Sequence, residues 1–544
     1  MRDAWLAGWR PYLLLGALCL CLYVPGLAAI PVLDRDEARF AQATRQMLES
    51  GDFLRIRFQD EARNNKPAGI YWLQAAAVSA VSMARSTAIW PYRLPSLAGA
   101  ILAVLTIFAV GRSLLGEPRG AMIAAVLLAA ALDTVAEAHI AKTDAALLAA
   151  ITIGQGALGL CYLRTRASVE VGPGVAAAFW LAQIAAIFLK GPVGPGLAVL
   201  TAGTLSVADR DARWLRGLRP IVGLAATVVA VAPWLLAIEH ATEGQFIEQS
   251  VGGDFLSKTL GAREAHGAPP LYYAALALLT FWPGSLYLAT ALIRGWRDRA
   301  RPATRFLLAW LGPAWIVLEL VPTKLPHYAL PLYPALALLA AGAAIDDGAP
   351  QPRWARAVVR VNDGLWLLTT LLIAAALVAL PIRLGDGVMP AGVAAAVVLI
   401  ALAVALLRRR PGPMGTAALL AALVLVFVVP AAHFVVPGLD RLWLSRGAAA
   451  MITRHPPDDG TPLAVVGYNE PSLVFLLNGD VHAQTADVPV QAGREALVSS
   501  REAARFEQTA TARGLTANPI DSVRGTDYSN GQQMTLTLYR MSPK

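Results

Sequence analysis

Charge is scarce in this chain: Asp, Glu, Lys and Arg make up 15% of its 544 residues, against roughly 25% in soluble domains. That shortage excludes an ordinary water-soluble protein, because a chain of this length folded in water needs far more polar surface. Cysteine is scarcer still. There are three, and Cys19 and Cys21 share one apolar stretch, which excludes a disulfide framework. Lysine is the third shortage. Of 46 basic residues only Lys66, Lys142, Lys190, Lys258, Lys324 and Lys544 are lysines, and the rest are arginine. Solenoid repeats and low-complexity segments are absent as well.

What the chain does have is apolar sequence. Hydrophobic residues account for 56% of it, the mean hydropathy is +0.52, and stretches close to the ~20 residues that cross a bilayer recur through the first 436 positions. About thirteen spans are expected, at 11–30, 92–111, 120–136, 143–163, 175–190, 192–208, 220–238, 271–293, 304–321, 327–346, 362–381, 390–407 and 414–436. Arg2 and Arg10 before the first apolar run resemble a signal peptide, but the many later spans favour an uncleaved helix. The net charge of +9 does not imply nucleic acid; in a membrane protein positive charge mostly sets topology. With the N-terminus inside, the inner loops carry Arg112 and Arg119, Arg164 and Arg166, Arg210 to Arg219, Arg294 to Arg305, Arg353 to Arg360, and Arg408 to Arg410, whereas the short outer loops carry little positive charge.

Residues 69–84 are apolar but only ~24 Å long as a helix. Counting them as a span inverts the arginine pattern, so they are read as a juxtamembrane helix in the outer interface, anchored by Tyr71 and Trp72. Three non-membrane pieces remain, all outside: the loop 31–91, the segment 239–270 and a tail from 437 to 544. The tail has soluble patterning. Residues 461–468 read as a strand, Asn469-Glu470-Pro471 as a helix start with proline in its first turn, and Asn530-Gly531 before alternating residues as a hairpin. These predict a small α/β or α+β domain on the outer face.

The chemistry concentrates in the outer segments. Asp34, Asp36 and Glu37 stand at the mouth of the first span, before a helix carrying Phe40, Ala43 and Met47 on one face. Acids at a helix start also serve as caps, but capping needs one acid and here there are three. Glu137, His139, Lys142 and Asp144 crowd the outer ends of two spans, and ionisable residues at membrane depth are costly and usually functional. In a short loop the first two could equally be solvated; Asp144 lies within the apolar face of the following helix. Lys190-Gly191-Pro192 joins two spans. Prolines interrupt the segment 322–334, which holds Lys324, His327 and Tyr328, and irregular backbone at this depth is tolerated where it lines a polar cavity.

The lysines make an independent argument. Every inner loop uses arginine, and all six lysines fall outside. A compact ammonium suits a phosphate contact. Carboxylates and ammonium groups at an outer membrane surface fit transfer of a sugar from a lipid phosphate: lysines neutralise the leaving phosphate and a carboxylate orients or deprotonates the acceptor. The same groups could line a transport path.

The motifs D-R-D-E-A-R-F with M-L-E-S-G-D, N-K-P-A-G-I-Y-W, A-K-T-D, F-L-K-G-P-V-G and T-K-L-P-H-Y-A-L-P-L-Y-P occur in this order over residues 30–340. As a set they resemble the GT-C glycosyltransferases of the protein O-mannosyltransferase and aminoarabinose transferase (ArnT) group. The resemblance implies a polytopic α-helical GT-C bundle, residues 1–436, with a catalytic loop at 31–91, and a periplasmic domain at 437–544. It implies an undecaprenyl-phosphate sugar as donor, lipid A or another envelope molecule as acceptor, and a multi-pass protein of the inner membrane with its active site and C-terminal domain in the periplasm. Asp36 matches the acidic catalytic position, Glu37 lies beside it, and Asp144 matches a second acidic position. Lys66 matches the lysine of the group's E-K-P motif, but Asn65 replaces the acid, a departure that bears on aminoarabinose specificity and on any metal site using that acid. His266 with Tyr272-Tyr273 looks like the group's H-x-x-P-x-x-Y-Y pattern.

The substrate-binding candidates are therefore Lys66, Arg39, Lys142, Lys190, His266, Tyr273, Lys324, His327 and Tyr328, and the catalytic candidates Asp36, Glu37 and Asp144. No cofactor is required by this chemistry; a divalent metal is the one addition it admits, with no ligands assigned. The expected partners are the lipid-linked donor, the envelope acceptor and membrane lipids, and not nucleic acid. The expected reaction is an inverting transfer. Protein O-mannosylation is the nearest alternative, and a lipid flippase or transporter is the alternative of another class, set aside because no internal repeat of the transporter type is present.

Overall fold

The computed structural model describes residues 4–83, 86–256, 269–346, 352–456, 462–484 and 493–544. Every apolar stretch expected to span gives helix. Among the described residues nine helices are long and apolar enough to cross a membrane, and the pair Pro118–Ala130 and Leu132–Ala138, bent by 59°, makes a tenth. Arg10–Tyr23 and Val193–Asp209 are apolar but shorter. The chain is a multi-pass membrane protein.

Besides that bent pair, which falls in the span expected at 120–136, a second expected span is broken. Residues 271–293 divide into Tyr272–Thr280, a tight turn through Gly284–Tyr287, and Leu288–Arg297. The cause is Pro283, which has no N–H and whose ring clashes with the preceding turn. Polar groups freed by the two breaks find partners inside the protein. Leu132 N donates to Trp282 O at 2.9 Å, and the Trp366 indole donates to Pro283 O at 2.9 Å. Such internal satisfaction is what a broken helix at membrane depth requires.

Small residues let the central helices approach closely. Ala100, Ala103, Ala121, Ala124, Ala125 and Ala129 are all buried in one core, and a Cβ on Gly99 would lie 2.6 Å from Ala145 O. The arginine ends of the helices collect carboxylates. Arg166 and Arg305 both pair with Asp209, Arg294 and Arg297 with Asp346, and Arg410 with Asp363. Lys142, Lys190, Lys324 and the proline-rich segment lie at the opposite helix ends, since Asp144–Arg166 begins where Pro173–Lys190 ends.

The loop after the first span forms helix Asp36–Ser50, a two-residue hairpin of β1 (Arg57–Phe58) and β2 (Glu61–Ala62), and the short helix Gly69–Ala80. The last of these has a buried face of Ile70, Tyr71, Gln74 and Val78, and at 12 residues it is too short to cross a bilayer.

The tail carries β3 (Leu463–Val466), β4 (Val481–Gln484), β5 (Glu495–Ser499), β6 (Leu515–Asp527) and β7 (Gln532–Pro543), in the order β4-β3-β5-β7-β6. The first three are parallel, and β6–β7 is an antiparallel hairpin closed around Asn530-Gly531, with Gly531 at φ +74°. The helix Pro471–Leu476 starts on its proline. The sheet unit is α/β in its parallel half and rests on the loop after the first span. Phe475 is fully buried against Val32, Ala38, Ala41 and Tyr92, a burial worth about 2–3 kcal/mol. The Arg45 guanidinium lies 4.2 Å over its ring and donates to Phe475 O at 2.9 Å. Arg35 donates to Ser529 O at 2.6 Å, and Ser472 Oγ hydrogen-bonds Asp34.

Candidate active site

The site is built where helix ends meet. Asp144 is the first residue of Asp144–Arg166, where the amide dipoles favour an acid. Lys190 is the last of Pro173–Lys190, where they favour a cation, and Gly191 ends that helix at φ +61°, a conformation glycine adopts without strain. The two side chains meet, with Lys190 Nζ 2.5 Å from Asp144 Oδ1. The other carboxylate oxygen lies 3.6 Å from Lys142 Nζ, which in turn sits 2.9 Å from Glu137 Oε1 and 3.3 Å from His327 Nδ1. His327 Nε2 is 3.9 Å from Asp144 Oδ2. Burial pulls the Lys142 ammonium toward its neutral form, but Glu137 and Asp144 outweigh that and hold it protonated, above the ordinary lysine value. The Lys190 ammonium lies 5.5 Å from the Tyr328 ring centroid.

A cavity of about 670 Å³ opens on this cluster. Its polar end is formed by Lys66, Asp144, Lys190, His327 and Tyr328, with Asn65 and Thr323 beside them. Its far wall is apolar: Val199, Leu200, Trp234, Leu235, Val317 and Leu318. Val199 and Val317 are 71% and 46% exposed, so the apolar wall is open toward the lipid side. Lys66 is delivered by the turn before Gly69–Ala80. That helix can start there because residue 69 is glycine: a Cβ would meet Phe188 O at 2.6 Å.

Asp36 is exposed, at the first position of its helix. It is not the cap. Arg35 holds that position, and no side chain bonds the helix amides there. The charge of Asp36 acts on Lys142 and on Arg39. Arg39 is half-buried, and burial together with the nearby Arg63 pulls its guanidinium down from its ordinary value.

Glu37 was expected beside Asp36 in catalysis; its side chain is fully buried and committed to structural partners. Arg93 donates to Oε1 at 2.8 Å and to Oε2 at 2.9 Å, Ala141 N to Oε1 at 2.7 Å and Leu33 N to Oε2 at 2.8 Å. Arg93 also donates to the carbonyls of Leu27, Ile30 and Pro31. Glu37 therefore ties the first outer loop to the turn that carries Lys142. Tyr273 and Lys324, like Asp36, Arg39 and Lys142, are not among the residues that line the cavity. Tyr273 is buried, with its hydroxyl donating to Leu325 O at 3.2 Å, and Lys324 pairs with Glu319 at 3.8 Å and donates to Pro269 O at 3.3 Å. His139, weighed at the sequence level, bridges Val135 O and Pro25 O and serves the backbone. His266 and Lys258 lie outside the described residues.

Two acids beside the site are not among the sequence candidates although a signal was present. Glu319 is an acid inside an apolar span, accepting from the amides of Tyr273 and Ala274, and Asp133 is a buried acid at the bend before Glu137; acids at such depth are a flag in themselves. The apolar wall could not be read, since a leucine facing a groove and one facing lipid look alike in sequence. Among the described residues no group of three or more His, Cys, Asp or Glu is arranged to hold a metal ion, and Asn65 stands at the cavity where the resemblance placed an acid.

The chain is a multi-pass helical membrane protein with a small C-terminal sheet domain. In fold it is similar to ArnT. The structure of ArnT from Cupriavidus metallidurans bound to undecaprenyl phosphate aligns with a TM-score of 0.75 at 20% identity, covering 98% of both chains. The archaeal oligosaccharyltransferase AglB from Archaeoglobus fulgidus aligns more distantly, with a TM-score of 0.52 at 14% identity over 89% of this chain and 64% of that one. In sequence, the chain is similar to the undecaprenyl phosphate-alpha-4-amino-4-deoxy-L-arabinose arabinosyl transferase of Edwardsiella ictaluri, 25% identical over 62% of this chain and 59% of the relative. A second such transferase, from Pseudomonas fluorescens, is 28% identical over 68% of this chain and 61% of the relative. The matches thus span about three-fifths of these relatives' length. No family model matches.

Proposed function

We propose that this protein is a glycosyltransferase that moves a sugar from an undecaprenyl-phosphate-linked donor to lipid A or another envelope acceptor, with inversion, at the periplasmic face of the inner membrane. The observation that carries the reading is the cavity: an apolar trough open to lipid that ends on Lys66, Lys190 and a buried carboxylate–lysine–histidine cluster. A polyprenyl chain fits the trough and its phosphate the ammonium end. The ArnT structure that bound undecaprenyl phosphate and the names of the relatives support this assignment.

In this reading the bond between the sugar's anomeric carbon and the phosphate oxygen breaks, and the phosphate keeps the electron pair. Lys66 and Lys190 stabilise the charge that grows on it. Asp144, with both oxygens facing ammonium groups, sets where Lys190 and Lys142 stand. The acceptor oxygen attacks from the opposite face of the ring. If that oxygen belongs to a phosphate it is already anionic and Asp36 orients it; if it is a hydroxyl, Asp36 takes its proton. Carboxylates facing lysines beside a lipid-open cavity favour this enzyme over a flippase. The arginine-rich loops at the opposite helix ends support a cytoplasmic side there, and with it a periplasmic side for the cavity and residues 437–544.

The test is turnover in nanodiscs. Purified protein given an undecaprenyl-phosphate sugar and lipid A should release undecaprenyl phosphate and yield glycosylated lipid A. Binding of the donor without release under any acceptor contradicts the reading.

A further inference from the structure

A second large cavity, of about 530 Å³, lies at the arginine end of the bundle, far from the proposed active site. Arg356 and Arg360 stand one turn apart at the start of helix Arg353–Leu384 and line it on one side. Arg410, at the end of Pro390–Arg409, lines another. Its charge is already answered by Asp363, at 2.5 Å. Among the described residues no carboxylate pairs with Arg356 or Arg360, and both are exposed. The third side is the beginning of the 18-residue helix Pro413–Pro430, with Thr416 facing in. That helix end adds a positive dipole and amides without helical partners. The remaining lining is apolar, including Val359, Leu406 and Leu407.

The arrangement is basic on two sides over an apolar floor. We propose that it binds the phosphate-bearing headgroup of an acidic membrane lipid, with Arg356 and Arg360 on the phosphate and the apolar lining under the glycerol and first acyl carbons. Three observations agree on it: two cations with no counter-ion among the described residues, a helix start that lines the same space, and apolar walls that a free phosphate would not use. Basic pockets between transmembrane helices are recognised sites for such headgroups. The site is separate from the catalytic reading and does not depend on it.

Native mass spectrometry of the whole protein, released from micelles after equilibration with phosphatidylglycerol or with phosphatidylcholine of the same chains, tests the proposal. Each arginine near a lipid phosphate is worth about fivefold in binding. The double variant Arg356→Gln/Arg360→Gln should therefore retain phosphatidylglycerol about 25-fold more weakly, with phosphatidylcholine unaffected. The exposed pair Arg213→Gln/Arg216→Gln, in another arginine-rich loop, should retain it as the parent does. Thr290→Asp, which sets a negative charge in the cavity wall without touching either arginine, should weaken retention as well and stands in if the double variant does not fold. Equal losses in both arginine pairs would mean a diffuse surface field and overturn the site. So would undiminished phosphatidylglycerol retention in the cavity variants. Displacement of the lipid by millimolar glycerol phosphate would overturn the lipid assignment, since it would show that the acyl-bearing part contributes nothing.

Discussion

Lys190 Nζ lies 2.5 Å from Asp144 Oδ1 and thereby joins the last residue of one membrane helix to the first residue of another. The contact fixes an ammonium at the polar end of a lipid-open cavity, and it leaves Asp144 as a positioning group rather than a free base. The reacting carboxylate in this account is Asp36, which is exposed, is not a helix cap, and whose charge acts on Lys142.

Lysine identity is expected to matter at the cavity and nowhere in the inner loops. Lys66→Arg keeps the charge but replaces a point contact with a planar fork. It should lower turnover at least about tenfold, the worth of a charged hydrogen bond, while Arg297→Lys is neutral. Initial rates at matched expression decide it, and full activity in Lys66→Arg would remove the phosphate contact.

Glu37→Gln should fail in a different way. Removing one partner of a buried ion pair costs about 3–5 kcal/mol, and Arg93 would be left facing an amide. The expected result is a lower melting temperature and poor yield in detergent, with whatever folded fraction survives keeping donor binding. A variant that is stable but inactive would restore Glu37 to the chemistry.

Topology is open to reporter fusions. A reporter after Arg410 should remain cytoplasmic and one after Gly438 should be exported, because short polybasic loops resist export. An exported signal at Arg410 would invert the bundle and put the proposed lipid-headgroup cavity on the other face.

Docking of the sheet domain should depend on pH. Burial, with Glu470 close by, pushes the Asp34 carboxyl up to about 8, whereas a free Asp titrates near ~3.9. The folded form thus binds the proton more tightly. The contribution is full below about pH 4 and is lost as pH rises through about 8. Glu470 is raised in the same direction and adds to it. Hydrogen exchange in Pro471–Leu476 should quicken beyond its intrinsic rise between about pH 4 and 8 and gain no further excess above that, and Asp34→Asn should flatten that excess. Equal excess in both proteins would remove Asp34 from the contact.

Much of this was legible in the sequence. Apolar length located the helices, the scarcity of lysine pointed at Lys66, Lys142 and Lys190, and Asn530-Gly531 marked the hairpin. The losses have physical causes. Glu37 and Asp36 are adjacent acids, and only tertiary packing against Arg93 tells the buried one from the exposed one. The break at Pro283 was hidden because the flanking residues are apolar enough to pass for one span. Tyr273 rests on the resemblance and Lys324 on its place in the proline-rich segment; in the fold the Tyr273 hydroxyl goes to Leu325 O and Lys324 pairs with Glu319. The trough depends on which face of each helix meets a neighbour, and hydropathy carries no such direction.

The central claim is a sugar transfer that needs the charge of Asp36. Mass spectrometry of envelope glycolipids tests it most directly, in cells carrying the parent gene, no gene, or the Asp36→Asn variant at equal membrane levels. Loss of a general base or orienting carboxylate typically costs about 100- to 10,000-fold in rate. The account predicts a sugar-sized mass addition on lipid A or another envelope lipid in the first strain and none in the other two. Glycolipids that are identical with and without the gene, or an Asp36→Asn strain that matches the parent, would contradict it.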